Sequence, residues 1–199
     1  MKAGAIILSG GKSSRMGTNK ALLKIHEKTN IERIKDELKH VFDDIILVTN
    51  DPETYQFLNI KMVPDWYPGS GPLAGIHAGL EASDYEENFV VACDMPFVSS
   101  ELATNLVKAL KHHDAVVPVF EGRQQPLFAA YQKRAAQEAR TCIDESSFRM
   151  KQLLDRLDVN YLSESELKLY YEGSLDRVFF NMNRPEEYQE AVKRAESDQ

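Results

Sequence analysis

Four short apolar runs constrain the fold of this chain more than any other feature. AGAIIL (3–8), DIILVT (44–49), NFVVAC (88–93) and DAVVPV (114–119) are of strand length, rich in Val and Ile, and apolar at successive positions. A strand with no polar face must be covered on both sides, as in a parallel sheet with helices above and below. Helix-period segments lie between the runs, at 30–41, 73–82 and 99–111. Ser99 or Ser100 is the expected N-cap of the last, with Glu101 in its first turn. Alternation of strand and helix, near 40 residues per period at first, predicts an α/β fold: a three-layer, doubly wound, mostly parallel sheet.

After residue 120 the pattern loosens. RQQPLFAAYQ (123–132) reads as an extra strand, 133–143 and 148–157 as helices, and VFFNMN (178–183) as a late strand. Pro185 suits the first turn of a terminal helix, and the polar tail after Ala191 is expected to fray. There is no internal repeat, low-complexity linker or Pro/Gly-rich boundary, so 199 residues with 43% hydrophobic content are expected to form a single domain over 1–199.

Charge narrows the partners. The net charge of −7 argues against a nucleic-acid binder, which needs a basic excess over a domain or face. The charge is uneven, however: residues 1–28 carry six cations and one acid, +5, against −12 for the remainder. A local basic mouth on an acidic protein suits a small polyanion. Two cysteines, Cys93 and Cys142, are too few for a disulfide framework, and no stretch has the length of a membrane span. A soluble protein of the reducing cytoplasm, with neither membrane nor nucleic acid as partner, is expected.

The first apolar run empties into LSGGKSSRMGTNK (8–20). This is not a P-loop, since Gly17 follows Gly11 by six positions and Thr-Asn replaces Lys-Ser. GSGPLA (69–74) fits a dinucleotide fingerprint by letter, but DWYP in front and Pro72 within leave no strand to introduce it. What remains is general: Gly10 and Gly11 let backbone N–H groups approach an anion, and Arg15 and Lys20 supply charge for a phosphate chain. A solvated surface loop is the plain alternative.

Four features favour the anion. CDMP (93–96) ends an apolar strand with Asp94 at the edge where parallel sheets place ligands. A carboxylate beside phosphate requires a hard cation between them, which implies Mg²⁺; the alternative, a helix cap, is weakened by a helix starting near Ser99. VPDWYPGSGPLAG (63–75) combines the carboxylate of Asp65 with a rigid bend before a helix, which could seat a ring or hold a phosphate. NMNRPEE puts Asn181 and Asn183 on one side of the expected late strand, suited to a heterocycle edge or to a turn. VTND (48–51) ends a strand with Asn50, which either reaches a base or starts the next helix. The five histidines are scattered without zinc-ligand spacing; His112 and His113 suit a helix C-terminus, and His77 could approach a substrate.

LSGG-x₃-RMG-x₂-K, D-x₅-GPLAG, CDMP and N-x-N-x-PEE, in that order, resemble the molybdenum cofactor guanylyltransferase (MobA) family within the Rossmann-like nucleotidyltransferases. The resemblance implies transfer of GMP from GTP to the terminal phosphate of molybdopterin, giving the dinucleotide cofactor and pyrophosphate. It implies that Leu8, Ser9 and Gly10 hold GTP through main-chain groups, that Lys20 meets its phosphates, that Asp65 reads the guanine or ribose side, and that Asp94 contacts nucleotide and Mg²⁺. Arg15 falls on the family's loop arginine and joins Lys20 and Asp94 as catalytic. Gly71, Pro72, Leu73 and Gly75, with Asn181 and Asn183, would line the pterin half. Other molybdenum-cofactor biosynthesis proteins and acceptor molybdoenzymes are implied partners. Two positions depart from the common pattern: Ser9 stands for Ala, and Asn19 for Asp before the lysine.

The chemistry fits the residues. A phosphate monoester is already ionised near neutral pH, so the absence of a Ser-His-Asp or Cys-His set is no obstacle. Another sugar or cofactor nucleotidyltransferase of the same fold is the near alternative, of which a molybdopterin cytidylyltransferase differs only in the base, and a noncatalytic molybdopterin or nucleotide adaptor would not need the pair Lys20 and Asp94.

Overall fold

A computed structural model of the chain describes residues 1–9 and 19–196. In chain order the elements are β1 (Gly4–Leu8), a 3₁₀ turn (Lys20–Leu22), β2 (Lys24–Ile25), β3 (Lys28–Thr29), α1 (Asn30–Lys39), β4 (Asp44–Val48), a 3₁₀ segment (Glu53–Leu58) and β5 (Lys61–Val63). There follow α2 (Pro72–Ala82), β6 (Glu87–Ala92), α3 (Ser100–Ala109), β7 (Ala115–Phe120), β8 (Arg123–Gln124), β9 (Phe128–Gln132) and α4 (Ala135–Asp144). The chain closes with α5 (Met150–Leu154), β10 (Val159–Leu162), α6 (Glu164–Tyr170), α7 (Leu175–Val178) and α8 (Pro185–Glu196).

Among the described residues one sheet runs in the order β10-β7-β9-β6-β1-β4-β5, with β8 on β7, and β2 and β3 form a separate hairpin. The pairs β1–β4, β1–β6, β4–β5 and β10–β7 are parallel, whereas β9 lies antiparallel between β6 and β7. Period-two alternation divides the apolar residues between two cores. Ala5 and Ile7 of β1, with Phe89 and Val91 of β6, pack beneath α1 and α3; Ile6, Leu8 and Val90 pack beneath α2 and α4. The four apolar runs are thus the covered strands their composition requires.

Local chemistry sets the helix starts. Thr29 caps α1 through a reciprocal box with Glu32, and Ser99 caps α3 by accepting from the Leu102 N–H. α2 can lie close on β1 because it carries glycine there: a Cβ at Gly75 would stand 3.2 Å from Leu8 Cδ2.

Three expectations for the second half are corrected. RQQPLFAAYQ makes two short strands rather than one, interrupted around Pro126, which has no N–H for a ladder. VFFNMN is not a strand: Val178 ends α7, and the following residues are irregular. The sheet edge beside β7 is already taken by β10, and the apolar residues of this segment serve different clusters. Phe179 packs on Phe120 and Phe128, while Met182 and Phe180 join Phe97 and Ile25. Asn181 and Asn183 therefore do not share a strand face. α8 continues helical to Glu196 rather than fraying after Ala191.

Candidate active site

β1, β4, β5 and β6 run parallel, so their carboxyl ends share one edge. Ser9, Thr49 and Cys93 lie one residue beyond their strands and continue the ladder: Ser9 N–H donates to Val48 O at 3.0 Å, Thr49 N–H to Val63 O at 2.9 Å, and Cys93 N–H to Leu8 O at 3.0 Å. This places Ser9 beside Cys93, which precedes Asp94, while the strand that leads to Asp65 lies two strands farther along the edge, beyond β4.

Lys20 and Asp94 are neighbours there, near enough for the ammonium to act on the carboxyl. Asp94 is not a helix cap, because Ser99 serves α3. Its carbonyl accepts from the Met182 N–H at 2.9 Å, which brings the late asparagine segment over it. Lys20 Nζ donates to Asn183 Oδ1 at 2.8 Å. Burial raises the Asp94 carboxyl above its ordinary range; the Lys20 charge is the main opposing effect, and Glu187 adds to the rise. Glu187 in turn accepts the N–H groups of Asn183 and Arg184 at the start of α8. A turn, a strand end, an irregular segment and a helix start thus converge on one carboxylate and one ammonium.

The surroundings of Cys93 disfavour a thiolate. Burial, with the Asp94 charge adding, pushes the Cys93 thiol up to about 12, so it stays protonated and is no nucleophile. Among the described residues no group of three His, Cys, Asp or Glu side chains could hold a metal ion. A single carboxylate fits Mg²⁺ that takes its other ligands from phosphates and water, the usual donor set for that ion at a nucleotide.

The other expected residues separate into groups. Leu8 is buried at the end of β1, and Gly10 and Arg15 lie outside the described residues. Asp65 is engaged locally: its carboxylate accepts the Tyr67 N–H at 2.8 Å, and its own N–H donates to Asn50 Oδ1 at 2.8 Å, so Asn50 braces the loop. Gly71 is the N-cap of α2 at φ +62°, a backbone that favours glycine, and no side chain caps that helix. Pro72 beside it is exposed, whereas Leu73 and Gly75 are buried in the packing of α2. Asn181 Nδ2 is turned back onto Phe179 O at 3.0 Å. His77 is buried against the Trp66 and Tyr67 rings.

Two residues at this edge were not singled out from the sequence. Asn30, fully buried at the start of α1, donates from Nδ2 to Cys93 O at 2.6 Å, while its Oδ1 has no partner among the described residues. Tyr55 accepts hydrogen bonds from Ser9 Oγ and Asn19 Nδ2. The visible signal for Asn30 was its place inside the Thr29–Glu32 capping box; nothing in DPETYQFL marks Tyr55.

Residues 5–160 match the family described as MobA-like NTP transferase domain. The chain belongs to that family. Its relatives include a probable molybdenum cofactor guanylyltransferase of Pelotomaculum thermopropionicum, 35% identical over 99% of this chain and 95% of that one. A protein of the same description from Peptoclostridium acidaminophilum is 37% identical over 92% and 85% of the two chains. Among solved structures, molybdopterin-guanine dinucleotide biosynthesis protein A of Archaeoglobus fulgidus superposes with a TM-score of 0.84 at 26% identity, covering 98% and 99%. The 2-C-methyl-D-erythritol 4-phosphate cytidylyltransferase of Thermus thermophilus, at 16% identity and TM-score 0.73, shares the fold. For a MobA-like NTP transferase, the edge holding Ser9, Lys20 and Asp94 is the candidate active site. Among the described residues no helix is long and apolar enough to cross a membrane.

Proposed function

We propose that this chain transfers GMP from GTP to the terminal phosphate of molybdopterin and releases pyrophosphate. The observation that carries the reading is the convergence of Lys20, Asp94 and Asn183 at the carboxyl edge of the central strands. Relatives across nearly the full chain length bear the guanylyltransferase description.

In the reaction an oxygen of the molybdopterin phosphate attacks the α-phosphorus of GTP, and the bond from that phosphorus to the bridging oxygen breaks as pyrophosphate departs. No general base is required, because the attacking monoester is already ionised. The obstacle is repulsion between two anions in line. Lys20 faces the phosphates and offsets their charge; Arg15 shares this role. Asp94 would hold Mg²⁺, which when bound supplies Lewis-acid charge stabilisation for the phosphates. The main chain at Leu8, Ser9 and Gly10 holds the nucleotide, and Asp65, held by Asn50, faces its guanine or ribose end. The uncapped start of α2 at Gly71 and Pro72 faces the molybdopterin side, with the first-turn N–H groups that follow Pro72, which has none of its own, as donors. Asn181 and Asn183 border the same side, and Leu73 and Gly75 support it from within.

Pyrophosphate release with each of the four ribonucleoside triphosphates, purified molybdopterin and Mg²⁺ tests the reading. GTP alone should give release, and only when molybdopterin is present. Release with CTP instead would make the enzyme a cytidylyltransferase, and no release with any nucleotide would refute transfer.

A further inference from the structure

We propose that Tyr55 is a positioning residue for the nucleotide: its hydroxyl ties together the two stems, at Ser9 and Asn19, that carry the phosphate grip. The proposal rests on the nucleotide reading above. Tyr55 OH accepts from Ser9 Oγ at 2.6 Å and from Asn19 Nδ2 at 2.8 Å. The ring is only 3% exposed and packs in the core beneath α1, so the hydroxyl is placed by packing.

Each stem is fixed a second time. Ser9 continues the β1 ladder through its N–H on Val48 O. Asn19 is the N-cap of the turn that opens with Lys20, its Oδ1 accepting from Ala21 N–H at 3.1 Å. Asn19 thus uses its carbonyl oxygen to start the Lys20 turn and its amide nitrogen to reach Tyr55. Through these two side chains the location of the Lys20 ammonium is referenced to β1, although ten positions of chain separate Ser9 from Asn19.

The energetic consequence falls on binding. A triphosphate that contacts both the Ser9 main chain and Lys20 needs the stems at one spacing. Fixing that spacing has an ordering cost, and the hydrogen bonds on the tyrosine meet it before ligand arrives. Once GTP is bound and touches both stems, the ligand itself maintains the spacing. Loss of the hydroxyl therefore weakens affinity and leaves the saturated rate nearly intact.

The test is Tyr55→Phe in the full chain, with GTP affinity by calorimetry and steady-state kinetics with molybdopterin and Mg²⁺. Kd and KM for GTP should rise by about three- to tenfold, the equivalent of one or two neutral hydrogen bonds, while kcat changes less than about twofold. Asn19→Ala, at an exposed position, removes the cap on Ala21 as well as the bond to Tyr55, so its KM shift should be at least that of Tyr55→Phe without touching the core, and the double variant should lose less than the product of the two, because the shared Asn19–Tyr55 bond is lost only once. A merely structural tyrosine would lower the thermal midpoint and the active fraction with KM unchanged, and that result overturns the proposal. So do losses that multiply in the double variant. Wild-type chain that binds no GTP overturns the nucleotide reading itself, and this proposal with it.

Discussion

The two ends of the same strands, β1 and β6, are built on opposite terms. At their amino ends Gly4 and Asn88 pair in the ladder, and the polar groups close on one another. Ser83 Oγ donates to Asn88 Oδ1 at 2.5 Å, Asn88 Nδ2 donates to Tyr85 O at 2.9 Å, and Lys133 Nζ donates to Ser83 O at 2.6 Å. The space is full: a Cβ on Gly4 would stand 2.5 Å from Asn88 Oδ1. At the carboxyl ends stand a carboxylate whose burial opposes its charge and, from the start of α1, an Asn30 oxygen with no partner among the described residues. The Gly4–Asn88 end is closed by its own side chains, with Asp44 Oδ2 on the neighbouring strand the exception among the described residues; the carboxyl end keeps polar capacity in reserve for a ligand. The difference shows where stability resides and where it has been given up for chemistry.

Asp94→Asn should separate the two ends most sharply. Transfer should fall by at least about a hundredfold, as for loss of a principal electrostatic group, measured as pyrophosphate release. Stability should not fall with it. Burial holds the Asp94 carboxyl above its ordinary range, so the folded chain binds that proton more tightly than the unfolded one. The ionised carboxylate therefore lowers stability at pH above its folded pKa, and this penalty disappears as pH drops through that value. The variant's thermal midpoint should match or exceed wild type at neutral pH, with the gap narrowing on acidification. A variant that loses both activity and stability would break the comparison.

Gly4→Ala should do the reverse. Overpacking against Asn88 and Ser83 should cost about 1–3 kcal/mol in urea unfolding, with GTP affinity of the folded protein unchanged. Altered GTP affinity would show the two ends to be coupled.

Thr29→Ala probes the boundary, since Thr29 caps the helix whose first residue, Asn30, holds the Cys93 carbonyl. A loss of about 1 kcal/mol in unfolding free energy is expected. Glu32→Gln should cost less and in a pH-dependent way. The Thr29 hydroxyl and N–H hold the Glu32 carboxyl below the usual carboxylate range, so its contribution is present above the unfolded pKa and is lost as pH falls through the folded one. The difference from wild type should vanish in acid; a gap that persists there would assign the effect to packing.

The sheet was legible because both faces of its central strands are apolar, and Ser99 announces the start of the helix after the third of them. The direction of β9 was not, since FAAYQ has the same alternation whichever way it runs. VFFNMN misled for a related reason: its aromatic residues have the composition of a strand but divide between two clusters. At the site, Ser9 and Asp94 were visible as motif residues just past strand ends and Lys20 as a motif cation. Their partners were not, because the bonds span long stretches of chain: 163 positions from Lys20 to Asn183, 63 from Asn30 to Cys93 and 46 from Ser9 to Tyr55. Periodicity and spacing describe near neighbours, and these contacts exist only once the sheet has brought distant segments to one edge.

The central claim is that Lys20 and Asp94 grip one triphosphate from two sides. Crystals grown with a non-hydrolysable GTP analogue and Mn²⁺ test it through the anomalous signal of the ion. The account predicts the ion on an Asp94 carboxylate oxygen at about 2.1 Å, the distance of a hard divalent cation in this role, with Lys20 Nζ bonded to a phosphate oxygen of the same nucleotide. An ion bound away from Asp94, or a nucleotide whose phosphates lie beyond reach of Lys20, would contradict it.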